Sequence, residues 1–222
     1  MLSTRAVGEK TRGIDTRNIA GGAYYFDAQV DDARLTLETI RSAHQHQAVI
    51  TNYVAVDSLI KENDRVVGVN AHDTLNGDQV AIRARVVVNA TGPWTDALMQ
   101  MDDPHAPRRL LPTKGAHVLV PRERIGTENA VTFPSFMDQR IMFLIPWSNF
   151  TLIGTTETDY DGDYEQVHVD VRDVEYVLAA TNHAFPLAQL TKADVVSTYA
   201  GLRPLVKAGD RDAHSTSREH SI

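Results

Sequence analysis

The stretch that decides the fold is residues 85–94, which read Arg-Val-Val-Val-Asn-Ala-Thr-Gly-Pro-Trp. Its β-branched run predicts a strand that is buried on both faces, as in a parallel sheet covered by helices. The strand ends at Thr91-Gly92-Pro93, where Gly92 lets a ligand approach the backbone closely. On spacing alone, the better interpretation is a strand-to-helix turn that is made tight for packing.

The residues upstream of this stretch predict an α/β arrangement. Ala23–Phe26 and residues 48–56 have the composition of strands, and between them an aspartate-capped helix is predicted over residues 30–46. Residues 1–19 show no period, and we expect an irregular lead-in there, the edge of a truncated chain. One face of the helix is expected to pack, because apolar residues recur on it at three- and four-residue spacing, namely Ala33, Leu37, Ile40 and Ala43.

The remaining segments predict hairpins and a largely antiparallel sheet. A hairpin is expected around the turn pair Asn76-Gly77, which tolerates positive φ. Beyond residue 104 the strands alternate with loops that contain proline and aspartate. The predicted strands are Val66–Ala71, Gln79–Ala84, Ala116–Val120, Arg140–Ile145, Phe150–Gly154 and Ala193–Tyr199, with a helix at Val171–Phe185 and a loop after Pro204. The fold class predicted is therefore α/β (α+β).

Composition excludes several classes of function. With 42% hydrophobic and 23% charged residues, the 222-residue chain falls within globular limits. The net charge of −7 disfavours nucleic acid as a partner, although a few arginines in one pocket would still hold an anionic substrate. The chain has no cysteine, so redox chemistry depends on a cofactor. No apolar run reaches the about 20 residues of a membrane helix, which predicts a soluble, cytoplasmic protein. The lack of cysteine excludes Cys-based metal sites, and no metal site is predicted.

Three downstream side chains are candidates for a site. His117 has a ring whose ordinary pKa suits taking a proton from an alcohol, although a lone histidine is more often structural. Arg203 precedes a proline, which favours extended backbone, and Arg218 follows fifteen residues later. Two guanidinium groups that converge on a phosphate would each contribute roughly 1.5–3 kcal/mol. The alternative is that both are surface arginines paired with carboxylates.

Five strings, in their order and spacing, resemble those of bacterial FAD-dependent, quinone-linked glycerol-3-phosphate dehydrogenases. The resemblance runs from about residue 20 to the end of the chain, and five strings in register make coincidence improbable. The strings are Val30–Leu35, Val88–Trp94, Lys114–Val118, Ile153–Thr158 and Tyr199–Leu205, the last followed by Ser217-Arg218.

The resemblance implies an enzyme that oxidises sn-glycerol 3-phosphate to dihydroxyacetone phosphate, with hydride passing from C2 to flavin N5. It implies that His117 is the catalytic base and that Arg203 and Arg218 bind the phosphate. Thr155 and Thr156 would lie near the site without an assigned role. The contacts implied for FAD are Val54, Ala90, Thr91, Gly92 and Pro93.

The resemblance also implies how the chain is divided. Residues 1–103 would be a partial FAD-binding domain, residues 104–198 a substrate-binding domain, and residues 199–222 a return segment that carries the two arginines. No Gly-x-Gly-x-x-Gly occurs in the sequence, and this loop normally cradles the dinucleotide pyrophosphate. We therefore expect the chain to be a central fragment that is inactive alone and retains FAD weakly.

Several alternatives remain open at this stage. The electron acceptor is expected to be quinone, whereas the oxidase branch of the family passes electrons to oxygen. Family membership further implies peripheral association with the inner face of the cytoplasmic membrane, and a homodimer. One rival is an FAD-dependent amine or hydroxy-acid oxidase, which would bind a carboxylate. Another is a non-catalytic module that binds small phosphorylated ligands.

Overall fold

The structure, a computed structural model, describes residues 1–207. Helices and antiparallel sheets alternate in it, which confirms the predicted α/β (α+β) class. In chain order the elements are β1 (Leu2–Ser3), α1 (Thr4–Lys10), β2 (Gly21–Gly22), α2 (Asp32–Gln45), β3 (Val54–Glu62), β4 (Arg65–Asp73), β5 (Gln79–Arg83), α3 (Thr95–Asp102), β6 (Leu110–Pro121), β7 (Val131–Pro134), β8 (Ile141–Trp147), β9 (Phe150–Gly154), β10 (Thr158–Asp159), α4 (Val171–Ala184) and β11 (Ser197–Val206).

The chain divides into two compact units. The hairpin unit is Tyr25–Arg108, and the sheet unit is Met1–Tyr24 together with the described part of Arg109–Ile222. The predicted domain boundaries at residues 103 and 198 stay a prediction. None of the helices within residues 1–207 combines the length and apolar character that crossing a membrane requires.

The sheet unit is built on six antiparallel strands around β6. One side of β6 pairs with β11, and the other side pairs with β9 and β10. Strands β8 and β7 follow beyond β9. The strands predicted at residues 116–120, 140–145 and 150–154 are therefore confirmed. The strand predicted at 193–199 was wrong in its bounds, because β11 keeps pairing with β6 until Val206.

One face of this sheet, the core face, packs against α4. Alternate side chains of a strand point to opposite faces, so Val118 and Val120 of β6 point to the same side. They join fully buried side chains of β8, β9, α4 and the residue that follows α4, and each such burial stabilises by about 1.5–3 kcal/mol. The largest of these are Met142, Leu144, Ile153, Val177 and Phe185.

The start of α4 is tied to β6 by a buried ion pair. Asp170 caps the helix by accepting bonds from the amides of Arg172 and Asp173. Lys114 of β6 places its Nζ 2.6 Å from Asp173 Oδ2 and 3.2 Å from Asp170 Oδ2. Burial acts to lower the pKa of Lys114, but its bonds to the two carboxylates outweigh burial and raise that pKa. The helix predicted at residues 171–185 is confirmed and is joined here to the sheet.

Residues 2–10 form β1 and α1, so the expectation of an irregular lead-in was wrong for this part, whereas residues 11–19 contain no helix or strand. The Ser3 hydroxyl accepts a bond from the Ala6 amide and caps α1, and Val7 is buried. A seven-residue helix is too short to show a period, which is why the sequence pattern missed it. The strand predicted at Ala23–Phe26 was also misplaced, because the pairing residues are Gly21 and Gly22.

The hairpin unit confirms the predictions that depend on local signals. Asp31 caps α2 by accepting a bond from the Arg34 amide at 3.0 Å. Strands β4 and β5 form the predicted hairpin, and Gly77 in its turn has a φ of +83°. The strand predicted over residues 48–56 begins only at Val54 and then continues as β3.

Two predictions for this unit were wrong. Both concern structure that depends on contacts with residues distant in the sequence. Residues 85–90 form no strand, and Val86 and Val88 are 74% and 78% exposed. A strand buried on both faces needs pairing partners, and within residues 1–207 no strand pairs with this segment. Helix α2 has no buried residue, so its apolar face at Leu37 and Ile40 does not pack as predicted.

Candidate functional site

His117 and Arg203 lie on the site face, which we define as the face of the six-stranded sheet opposite the core face. Directly paired residues of neighbouring strands project to the same side of a sheet. His117 of β6 pairs with Tyr199 of β11 and with Gly154 of β9. Two residues before His117, Gly115 pairs with Gly201. These five residues therefore form one patch.

The imidazole of His117 is enclosed from two sides. Its ring stacks on Tyr199 with the ring centroids 4.8 Å apart and the planes 12° from parallel. On the side of β9, a Cβ atom placed on Gly154 would lie 2.1 Å from Cδ2 of His117. Glycine at this position therefore lets the ring rest against the backbone, a role that glycine often has inside strands.

Arg203 reaches the same patch from β11. Its guanidinium lies over Gly115, where a Cβ atom would come within 2.5 Å of one terminal nitrogen. It donates to the Thr155 hydroxyl at 3.0 Å and to the Thr156 carbonyl at 3.5 Å. The two threonines placed near the site by sequence thus contact the arginine, and Gly115 was missed although it lies in a quoted string.

The site face is open above Gly201. The Gly115–Gly201 pair lies two residues along the strands from the His117–Tyr199 pair, a distance of about 7 Å. A Cβ atom on Gly201 would meet nothing within 4 Å. The guanidinium of Arg203 covers Gly115, so the uncovered part of this patch is the backbone of Gly201, which forms an open floor between Tyr199 and Arg203 along β11.

A chain of polar contacts holds the segment Thr155–Glu157, which in turn contacts Arg203. Arg140 donates to the Glu157 carbonyl and forms an ion pair with Asp138 at 3.1 Å. Asp138 also accepts a bond from the Tyr176 hydroxyl at 2.8 Å. Burial acts to raise the pKa of Asp138, but the bonds from Tyr176 and Arg140 outweigh it and lower that pKa. Nothing in the local sequence separates Arg140 from a surface arginine, and so sequence reasoning missed it.

The turn predicted to contact FAD lies in the hairpin unit. Gly92 has a φ of +56°, and a Cβ atom there would meet nothing within 4 Å. Asn89 holds the turn by accepting from the Thr91 hydroxyl at 2.8 Å and donating to the Thr95 carbonyl at 3.1 Å. Ala90 is exposed, while Pro93 and Val54 are half-buried. The space beside Gly92 would let a dinucleotide lie against the backbone, although the sequence has no glycine loop for the pyrophosphate.

Arg218 and the expected absence of a metal site are the remaining predictions for the site. Arg218 lies outside the described residues, so of the two arginines only Arg203 is placed on the site face. In the described part of the chain, no group of three or more His, Asp or Glu side chains has an arrangement that would hold a metal ion.

The chain is similar to known proteins over nearly its whole length. The glycerol-3-phosphate dehydrogenase 2 of Mycobacterium tuberculosis is 38% identical over 210 residues, which are 95% of this chain and 35% of that protein. The alpha-glycerophosphate oxidase of Streptococcus pyogenes serotype M1 is 36% identical over 93% of this chain and 34% of that protein. The chain thus spans about a third of the length of these curated relatives.

A solved structure and a family comparison agree with these relatives. The glycerol-3-phosphate dehydrogenase from Bacillus halodurans, solved in complex with FAD, matches with a TM-score of 0.89 and 42% identity over 93% of this chain and 42% of that chain. The sequence model of the family described as FAD dependent oxidoreductase, DAO, matches residues 1–219. The predicted family resemblance and the predicted cofactor are thereby confirmed. The chain belongs to the DAO family of FAD-dependent oxidoreductases.

Proposed function

We propose that this chain is part of an enzyme that uses FAD to oxidise sn-glycerol 3-phosphate to dihydroxyacetone phosphate. The observation that carries the proposal is that His117 and Arg203 project from neighbouring strands onto the same face of one sheet, beside the uncovered backbone of Gly201. The names of the M. tuberculosis, S. pyogenes and B. halodurans relatives support a glycerol phosphate substrate.

Arg203 would bind the phosphate group. Its guanidinium already donates to Thr155 and Thr156, and these bonds orient the remaining N–H groups before the ligand arrives. A charge-assisted bond to phosphate is worth roughly 1.5–3 kcal/mol, and a three-carbon substrate has little apolar surface to add. Arg218 is proposed as the second phosphate ligand on the resemblance alone.

His117 would act as the base at C2 of the substrate. With the phosphate held at Arg203, the C2 hydroxyl would donate its proton to the imidazole while the C2–H bond breaks and the C2=O bond forms. The hydrogen leaves C2 with its electron pair, and bound FAD would supply the acceptor for this hydride. Val54, Ala90, Thr91, Gly92 and Pro93 are proposed to hold FAD.

The electron acceptor, the location of the protein and its oligomeric state are part of the same proposal. Quinone is the proposed final acceptor, with oxygen as the alternative that the name of the S. pyogenes relative favours. Cytoplasmic location, peripheral membrane association and a homodimer belong to the same proposal. These finer points are supported only by the family resemblance.

We further propose that the 222-residue chain by itself retains FAD weakly and has little activity. The reason is that the sequence has no Gly-x-Gly-x-x-Gly to bind the pyrophosphate. The purified chain should show almost no absorbance in the flavin band. A tightly bound yellow cofactor after gel filtration would contradict this part of the proposal.

A binding titration tests the substrate without needing FAD. The chain is titrated with glycerol 3-phosphate, glycerol, glycine and lactate. We expect only glycerol 3-phosphate to bind, with affinity about 10-fold to 100-fold lower in Arg203→Ala and an intermediate loss in Arg203→Lys, because lysine keeps the charge but loses the fork.

The matched control for this titration is Arg172→Ala. Arg172 lies in the same unit with its side chain 92% exposed, and its removal should leave affinity unchanged. Equal affinity in all variants would remove Arg203 from the site. Preferential binding of glycine or lactate would favour an amine or hydroxy-acid oxidase instead.

A further inference from the structure

We infer that Tyr199 and Gly154 are positioning residues, which together hold the imidazole of His117 at one place and one angle on the site face. We call this pair the imidazole clamp. The chemical value of the clamp rests on the proposed function, in which His117 is the base. The geometry of the clamp is independent of that function and is testable without substrate or cofactor.

The first half of the clamp is the ring of Tyr199. It lies nearly parallel to the imidazole, with 4.8 Å between the ring centroids, and the two residues are direct partners in the pairing of β11 with β6. Cross-strand partners have their Cβ atoms about 4.5–5.5 Å apart, so stacking follows from the register. Tyr199 is 48% exposed, which means that it covers His117 more than it fills the core.

The second half of the clamp is the missing side chain of Gly154. His117 also pairs with Gly154, in β9, and the imidazole occupies the volume that a Cβ atom would need. Three ring atoms would lie within 2.8 Å of such an atom. Alanine at this position would therefore push the ring away from β9 and against Tyr199.

A clamp of this kind matters because proton transfer depends on position. A base must lie within about 2.6–3.2 Å of the proton-bearing atom, and a displacement of about 1 Å can lower the rate about 100-fold. The open floor at Gly201 puts no side chain beside the ring on that part of the sheet. Tyr199 and Gly154 therefore supply two contacts that limit how the ring turns.

The clamp is tested by NMR on the 222-residue chain. A ring that stacks on an aromatic face is shielded, so the His117 ring protons should resonate upfield of those of unstacked histidines. The signal is assigned by its loss in His117→Gln. We expect it to move downfield in Tyr199→Leu, to stay in place in Tyr199→Phe, and to move in Gly154→Ala.

His183 provides an internal control, because its ring stacks on Phe136 at 4.3 Å. Phe136→Leu should shift the His183 signal and leave that of His117 unchanged, and the buried methyl signals of Leu144 report whether each variant is folded. The inference is overturned if folded Tyr199→Leu leaves the His117 ring signals where they are.

Kinetics of a hybrid protein separate the clamp from the proposed function. In the hybrid, this chain replaces the matching segment of the B. halodurans dehydrogenase. Tyr199→Leu should lower kcat about 10-fold or more with little change in KM, and Tyr199→Phe should restore it. A raised KM at unchanged kcat would overturn the positioning role. An inactive parent hybrid would count against the proposed function, while the NMR result still decides whether the clamp exists.

Discussion

The sheet unit and the hairpin unit differ in where their apolar side chains lie. In the sheet unit, Met142, Leu144 and Ile153 are fully buried against α4. In the hairpin unit, α2 has no buried residue, and Val86 and Val88 project into solvent. The sheet unit therefore has its own core, and that core fixes the face on which His117 and Arg203 lie.

This difference teaches which part of the chain is able to define a site by itself. A rigid sheet holds functional side chains more accurately than loops do. In the sheet unit, the same strands supply the core on one face and the candidate site on the other. We therefore expect substitutions in the sheet unit to cost more stability than matched substitutions in the hairpin unit.

The largest difference is expected for ion pairs. Lys114→Met leaves Asp173 charged with its side chain only 5% exposed, and breaking a buried pair in this way costs about 3–5 kcal/mol. Arg83→Met removes the exposed partner of Glu62, which should cost less than about 1 kcal/mol. Urea unfolding measures the loss in free energy of unfolding for each variant, and hydrogen exchange of the amides shows in which unit the loss occurs.

The double variant Lys114→Met with Asp173→Asn is the control for this pair. It should recover part of the loss, because the uncompensated charge is gone. Similar losses in Lys114→Met and Arg83→Met would show that the buried ion pair contributes no more to the free energy of unfolding than the exposed one.

The next difference is expected for leucines. Leu144→Ala should lower the free energy of unfolding by about 2–5 kcal/mol, because the side chain is fully buried and leaves a cavity. Leu37→Ala on α2 should change it by about 0.5 kcal/mol or less, since Leu37 is 46% exposed. Thermal unfolding of the two variants decides the point, and an equal loss would mean that α2 packs as tightly as the core.

The smallest effect is expected for the loss of folding stability at low pH. Burial acts to raise the pKa of Asp170, but bonds from the Asp173 amide and from Lys114 outweigh it and lower that pKa. A lowered folded pKa stabilises the fold above the unfolded value of about 3.9 and loses this effect as pH falls through the folded pKa. Asp170→Asn should therefore lose less stability than the parent between about pH 5 and pH 3.

Glu62→Gln is the matched control for acid sensitivity, because its ion pair with Arg83 is exposed on both sides. Unfolding curves at several pH values compare the variants. If Asp170→Asn and the parent lose stability in parallel over this range, the capping carboxylate does not carry the acid response.

The sequence predicted the elements whose causes are local. The Asp31 cap and the turn at Asn76-Gly77 each act over a few residues, and both are present. Residues 85–90 were predicted as a strand on their β-branched side chains, but strand formation depends on partners that no local signal reveals. The same limit explains the unpacked face of α2.

The candidate site was predicted in part for the same reason. His117 and Arg203 were recognisable because each lies in a string that resembles the family. Tyr199 and Gly154 lie in quoted strings as well, yet their contact with His117 depends on the register of β11 and β9 against β6. Register is a tertiary property, and sequence periodicity alone does not give it.

The central proposal is that glycerol 3-phosphate binds on the site face at His117 and Arg203. Amide NMR of the 222-residue chain during titration with glycerol 3-phosphate tests it most directly. We predict that the signals of Gly115, Gly154 and Gly201 shift together, while that of Gly77 in the hairpin turn stays in place. The proposal is contradicted if the three glycine signals of the site face stay unchanged at saturating ligand, or if only signals of the hairpin unit respond.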